Sequence, residues 1–207
     1  IAIGDENTAK EVMRRDEFQI EELISYLKFK NFDNPIVESM PVIRKMTEID
    51  PENPEVWNAW LNAGLIHEKS QQYFHALQIY NEALQTQVKL KKDFFQSSFW
   101  LHIGRIYQTE IKINNPDYIL DIYDKSEELN DFQSIYDKYF LHLFKVEAYR
   151  SYHDKQYDTD ILREFTNALL IQPDAYYIIC EVGTFYLNNL QNTQIATDYF
   201  LKAKSVD

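Results

Sequence analysis

The chain is poor in the residues that punctuate a polypeptide. Its 207 residues include only four glycines and six prolines, too few for the many turns of a sandwich or barrel, and this predicts a mostly helical protein. The single cysteine, Cys180, excludes an internal disulfide and reads as a small buried hydrophobe. With no Asn-x-Ser/Thr acceptor either, the sequence points to a reducing intracellular compartment, cytoplasmic or nuclear. No uncharged apolar run approaches the roughly 18 residues of a membrane span. The start at Ile1 rather than Met, without a basic and apolar leader, reads as a piece of a longer protein.

Positive charge is also scarce. Twenty-one basic residues face 33 acidic ones, for a net charge of −12. Such a chain repels a phosphate backbone, so direct contact with nucleic acid is disfavoured. The one dense basic stretch, KLKKD at 89–93, reads as a solvated helix end. Carboxylates at helical spacing from Asp117 through Asp131 read as a solvent face that could attract a basic partner.

Signatures of chemistry are missing as well. The histidines His67, His75, His102, His142 and His153 form no H-E-x-x-H and adjoin no paired cysteine, so no metal site is expected. No two glycines lie close enough for a phosphate-cradling loop. The expectation is a chain without catalytic residues, metal or cofactor.

What is abundant is apolar and aromatic surface. Hydrophobic residues make up 45% and aromatic ones 15%, including 15 Tyr and 13 Phe, which excludes disorder and supplies filling for helix interfaces. Against that background three glycines recur in one setting: WLNAGLIHE at Gly64, WLHIGRIYQ at Gly104 and ICEVGTFYL at Gly183. Each is followed three positions later by a ring, His67, Tyr107 or Tyr186. The intervals are 40 and 79 residues, the second close to twice the first. A glycine inside a helix costs about 1 kcal/mol relative to alanine, so its periodic return predicts something packed hard against one face of each helix.

A second apolar pattern follows each glycine helix. Ala76, Tyr80 and Ala83 fall on one helical face, as do Ile119, Tyr123 and Ser126, and Ala196, Phe200 and Ala203. Ile161, Phe165 and Ala168 give a further copy without a preceding glycine, for which Ala148 is the expected small residue. The glycine of one helix and the ring of the next are expected to meet, letting two antiparallel helices approach closely.

These residues resemble the tetratricopeptide repeat (TPR) family. Trp60, Gly64, Tyr73, Ala76, Tyr80 and Ala83 match its pattern, with His67 in place of the usual aromatic. Trp100, Gly104, Tyr107, Tyr123 and Ser126 give a second copy, Gly183, Tyr186, Ala196, Phe200 and Ala203 another, and Pro51 and Pro173 close repeats. The resemblance implies an all-α, right-handed α-solenoid of about five antiparallel helix pairs. After a lead-in over 1–19, the repeat domain runs over 20–207, in units of approximately 20–53, 54–92, 93–131, 132–174 and 175–207. The first unit departs most, with Leu27 and Met46 where glycine and alanine would stand and Pro41 inside its second helix.

The resemblance implies a protein-interaction scaffold in a larger intracellular complex, receiving a peptide or helix on a concave face lined by first helices. Projection from the glycine register places Asn58, Leu61, Asn62, Leu65, Ser98, His102, Arg105, Tyr177 and Glu181 there, with Tyr149 from the glycine-less unit. The acidic balance favours a neutral or basic segment as ligand. The carboxylate clamp that some family members use for chaperone C-termini is disfavoured. Only Asn62 matches it; Ser98 and His102 stand in the places after it and Ile24 and Lys28 in those before. Self-association through the ends of the array is a further expectation. HAT-type helical repeats of RNA-processing or transcription assemblies are the alternative, kept open by Trp57 and Trp60. A prenyltransferase α-subunit likeness, in DPENPEVWNAW, ranks below both because Trp60 stands where that family places arginine.

Overall fold

A computed structural model describes Ile20, Leu23 and residues 35–206. The expected lead-in, and Ile24, Leu27 and Lys28 of the first expected unit, lie outside the described residues. Among the described residues all regular structure is helical. Two compact units divide the chain, residues 1–99 and 100–207.

In the first unit, α1 (Pro35–Ile49) runs through Pro41, which removes one backbone bond at a cost of about 3 kcal/mol. Burial of Met40, Val42, Ile43 and Met46 on the same helix offsets that loss. Helix α2 (Pro54–Lys69) starts where its sequence dictates. The Asn53 side chain accepts from the Glu55 N–H, Pro54 fills a first-turn place that needs no donor, and Glu55 faces the positive end of the helix dipole. Its two tryptophans are fully buried with their indole N–H groups satisfied, Trp57 by the Pro51 carbonyl at 2.9 Å and Trp60 by Thr47 Oγ1 of α1 at 3.0 Å. Helix α3 (Tyr73–Leu90) folds back on α2 after a three-residue connection and ends at Lys91, whose backbone is left-handed. Arg44 ties α1 to α3 through a bidentate pair with Glu82 at 2.6 and 2.9 Å.

Helix α4 (Gln96–Arg105) contains the division between the units and continues as a π-helical turn, Ile106–Glu110. The turn is closed by Ile111 N–H on the Ile106 carbonyl at 2.9 Å. In the second unit follow α5 (Pro116–Leu129), capped by Asn115, and α6 (Ile135–Arg150), capped by Ser134. A 3₁₀ turn, Lys155–Tyr157, leads into α7 (Asp158–Ile171), and α8 (Tyr176–Asn188) and α9 (Thr193–Val206) are the last described helices.

The glycines sit where the rings are. A Cβ built on Gly64 would lie 2.0 Å from Tyr80 Cε1, on Gly104 2.5 Å from Tyr123 Cε1, and on Gly183 2.7 Å from Phe200 Cε1. No Cβ fits at those separations, so each glycine is required by its ring on the following helix. The intervals between glycine and ring are 16, 19 and 17 residues. The longest spans the π turn and the loop after it, which together take up the extra length without losing the contact.

The glycine-less pair is built differently. Phe165 packs in a cluster with Tyr139, Val146, Ile161, Ala168, Ile178, Val182 and Phe185. Ala148, expected opposite Phe165, instead joins Leu101, Ile119, Leu120, Tyr123 and Leu141. The connection over 151–157, with its 3₁₀ turn, lengthens the path from α6 to α7 and shifts the register between them. Helix α6 therefore turns Tyr139 and Val146, two turns apart, toward α7, and Leu141 and Ala148 toward α5.

Candidate partner-binding surface

Helices α4 and α6 both belong mostly to the second unit, and between them lies a cavity of about 210 Å³ lined by Leu101, His102 and Arg105 of α4 and Asp137, Phe140 and Phe144 of α6. Its walls are mainly apolar. Leu101 is buried, Phe144 half-buried, and Phe140 exposes 47% of its surface. The mouth is charged: the Arg105 guanidinium reaches Glu110 Oε1 at 3.4 Å, and Asp137 stands beside His102. Burial holds the His102 imidazole below its ordinary pKa, against the opposing pull of the Asp137 carboxylate. A neutral His102 leaves the site a weakly polar floor for an apolar side chain, with charge at its rim.

A larger cavity of about 410 Å³ shares Phe144 with the first. The π turn and its loop supply Gln108, Thr109, Lys112, Ile113 and Asn114, and α6 with its C-cap supplies Glu147, Ala148 and Ser151. Gln108 is fixed from both sides: its amide donates to the Phe144 carbonyl at 3.1 Å, and its oxygen accepts the Tyr123 hydroxyl at 2.6 Å. Burial raises the Tyr123 phenol well above its usual pKa, so it remains a donor.

Of the residues expected at a partner surface, His102 and Arg105 come together in the α4–α6 cavity. Asn62 is exposed on α2, with Asn58 and Leu65 half-buried on the same helix. Leu61 and Ser98 are fully buried and offer nothing to a partner. Leu61 turns inward because the apolar stripe of α2 is wide enough to include it beside Trp57 and Trp60, and Ser98 is sealed in the first turn of α4. In the second unit Tyr149 is half-buried, stacked on Tyr157 at 5.7 Å and in reach of Arg163 Nη2 at 3.4 Å. Glu181 accepts from Arg150 at 3.0 Å, Tyr177 exposes 70% of its surface, and Cys180 is half-buried. Sequence reading missed Asp137, Phe140 and Phe144. The signal was the i, i+4 pair Phe140 and Phe144, which could not be assigned to a face while the register of α6 was unset.

The second unit also buries a charged cluster. His142 Nδ1 lies 2.7 Å from Glu164 Oε2, and both side chains are almost wholly buried. Lys145 Nζ reaches Asp124 at 2.7 Å, Glu127 at 2.5 Å and Glu164 at 3.7 Å, while Arg163 reaches Glu164 at 3.1 Å. Burial alone would raise the Glu164 carboxyl, but the hydrogen bond with His142 and the charge of Lys145 bring it below its ordinary value. Glu127, His142 and Glu164 present donor atoms within 4.8 Å of one another, the spacing of metal ligands. The Lys145 ammonium sits on the two carboxylates of that set, so their charge is already compensated by the chain itself.

The paired helices, the glycine–ring contacts and their recurrence define a tetratricopeptide-type all-α repeat fold. No family model matches the chain, and no curated protein does. Solved structures do. YrrB, described as a TPR protein with an unusual peptide-binding site, is similar with a TM-score of 0.59 at 13% identity, covering 96% of this chain and 92% of that one. Two MamA structures are similar as well. MamA AMB-1 gives a TM-score of 0.54 at 14% identity, over 91% of this chain and 96% of that one. The other gives 0.58 at 16% identity, over 90% and 91%. At such identities the likeness is one of fold.

Proposed function

We propose that this chain is a non-enzymatic protein-interaction module which takes a peptide or helix of a partner protein, as one component of a larger intracellular assembly. The observation that carries the reading is the α4–α6 cavity, apolar within and charged at its mouth, with Phe140 half open to solvent. An apolar pocket with a few convergent polar groups is the usual form of a recognition site. The likeness to a TPR protein described as peptide-binding supports the same class of ligand. The net charge of −12 favours a neutral or basic segment, approaching Asp137 and Glu110.

A displayed peptide library panned against the chain, followed by affinity measurement of the enriched peptides, tests the reading. Phe140→Ser and Arg105→Glu alter exposed or half-buried side chains at the cavity and are expected to weaken binding by tenfold or more with the fold intact. Peptides that bind both variants as tightly as the unaltered chain would place the binding surface elsewhere. An absence of any enriched peptide would remove the reading altogether.

A further inference from the structure

Three rings follow one another at every fourth place of α6. Tyr136 exposes 56% of its surface, Phe140 is nearly as open, and Phe144 is half-buried. Residues four apart on a helix lie one above the other, so the three make one stripe, which starts in solvent at Tyr136 and enters the α4–α6 cavity at Phe140 and Phe144. The last two rings are held from behind. Tyr139 meets Phe140 edge-on at 5.4 Å, and Tyr123 stacks on Phe144 at 6.2 Å. Phe140 and Phe144 stand 6.4 Å apart and are inclined at 31°. A stripe fixed before a ligand arrives spares the ligand the cost of ordering it.

The surroundings decide what backbone can lie on such a stripe. Among the described residues all regular structure is helical, so no strand edge offers the ladder of N–H and C=O groups that an ordinary extended segment needs. Laid here, that segment would bury its own N–H groups unpaired, at about 1–3 kcal/mol each. Proline has no N–H to leave unpaired. A polyproline II segment also fits the spacing: at about 3.1 Å per residue, two of its residues advance about 6.2 Å, against the 6.4 Å between the Phe140 and Phe144 rings. An α-helical ligand advances about 6.0 Å in four residues, so spacing alone does not choose between the two. The polar groups beside the rings do. The Arg105 guanidinium is a fork of N–H donors, one of which reaches Glu110 at 3.4 Å, and Tyr136 carries a hydroxyl donor. A helix uses its own carbonyls internally except in its last turn, whereas a polyproline II backbone has no internal hydrogen bonds and presents a carbonyl at every residue.

We propose that the segment taken by the α4–α6 cavity is a proline-rich stretch in the polyproline II conformation, lying along Tyr136, Phe140 and Phe144 with carbonyls turned to Arg105 and Tyr136. This ligand rests on the peptide-binding function proposed for that cavity and brings in one residue outside its lining, Tyr136. Proline fixes its own φ, so such a segment loses little freedom on binding.

The probe is a fluorescently labelled decaproline, compared by anisotropy with a peptide of the same length that alternates alanine and glutamine. Saturable binding of decaproline is expected, with the comparator at least tenfold weaker. Phe140→Ser should weaken decaproline binding tenfold or more and Tyr136→Ser threefold or more, with circular dichroism verifying that both variants keep their helicity. No saturable binding of decaproline, equal binding of the comparator, or a Tyr136→Ser variant that binds as the unaltered chain does overturns the proposal. Failure of this ligand and failure of the cavity look different. Library peptides that depend on Phe140 while decaproline does not bind leave the cavity as a recognition site and remove only the proline-rich ligand. If neither decaproline nor any library peptide depends on Phe140, both fall.

Discussion

The Tyr80 hydroxyl donates to Glu68 Oε1 at 2.7 Å while the ring that carries it fills the space over Gly64. One side chain therefore does two things at the α2–α3 interface: it demands the absence of a Cβ at one position and the presence of an acceptor one turn later. Tyr123 repeats both demands on Gly104 and Gln108.

Alanine at the glycines should separate packing from helix propensity. Alanine gains about 1 kcal/mol of propensity, against an overpacking cost of about 1–3 kcal/mol or more. The built Cβ contacts shorten from 2.7 Å at Gly183 to 2.5 Å at Gly104 and 2.0 Å at Gly64, and Phe200 alone has open space into which to move. Urea denaturation is expected to rank Gly64→Ala as the most destabilised and Gly183→Ala as the least. The reverse order would show that the rings do not set the requirement.

Tyr80→Phe removes the donor to a buried Glu68 and is expected to cost about 1–3 kcal/mol. Glu68→Leu alone should also destabilise, by leaving the buried hydroxyl without this acceptor. The double variant reproduces the arrangement of Phe200 and Leu187, which stand in the corresponding places on α9 and α8, and should regain part of the loss. A double-mutant cycle in denaturant with no coupling energy would show that the bond contributes nothing.

Lys145→Met leaves Glu164 buried among carboxylates with its compensation reduced. Removing one partner of a buried ionic network costs about 3–5 kcal/mol, and the partial exposure of Asp124 and Glu127 puts this case at the low end. Adding Glu164→Gln should restore stability relative to the single variant, read as the midpoint of thermal or urea unfolding.

Acid should act through Glu164. Its folded-state pKa lies below its unfolded value of about 4.5, so the stability it supplies is complete above that value and is lost as pH falls through the folded pKa. Urea midpoints measured downward from about pH 5 should therefore fall more steeply for the unaltered chain than for Glu164→Gln. Parallel curves would mean that Glu164 titrates alike in both states.

The glycine–ring pairs were legible because they combine two signals that rarely coincide by chance, a helix-breaking residue in an apolar helix and a large ring at a fixed later position. The register of α6 was not legible, since no glycine marks it and the 3₁₀ turn at Lys155–Tyr157 adds length that periodicity does not reveal. For the same reason the cavity residues Phe140 and Phe144 went unassigned. The His142–Glu164–Lys145 cluster was invisible on different grounds. Charged residues at helical spacing read as a solvent face, and only the tertiary arrangement brings Glu127 of α5 and Glu164 of α7 onto one lysine of α6. Leu61 and Ser98 were projected outward because a single glycine fixes the direction of one face and says nothing about how wide the buried arc is.

The π turn at Ile106–Glu110 has a consequence for how this sequence can change over time. With the loop that follows, it absorbs surplus residues downstream of Gly104, so the helix pair tolerates a difference in length while the clasp of ring on glycine stays closed. The stretch from Lys112 to Asn115 is thus a place where insertions can accumulate without disturbing heredity of the fold, and it borders the larger cavity. New recognition could be written there by lengthening a loop, with the helices on either side left as they are.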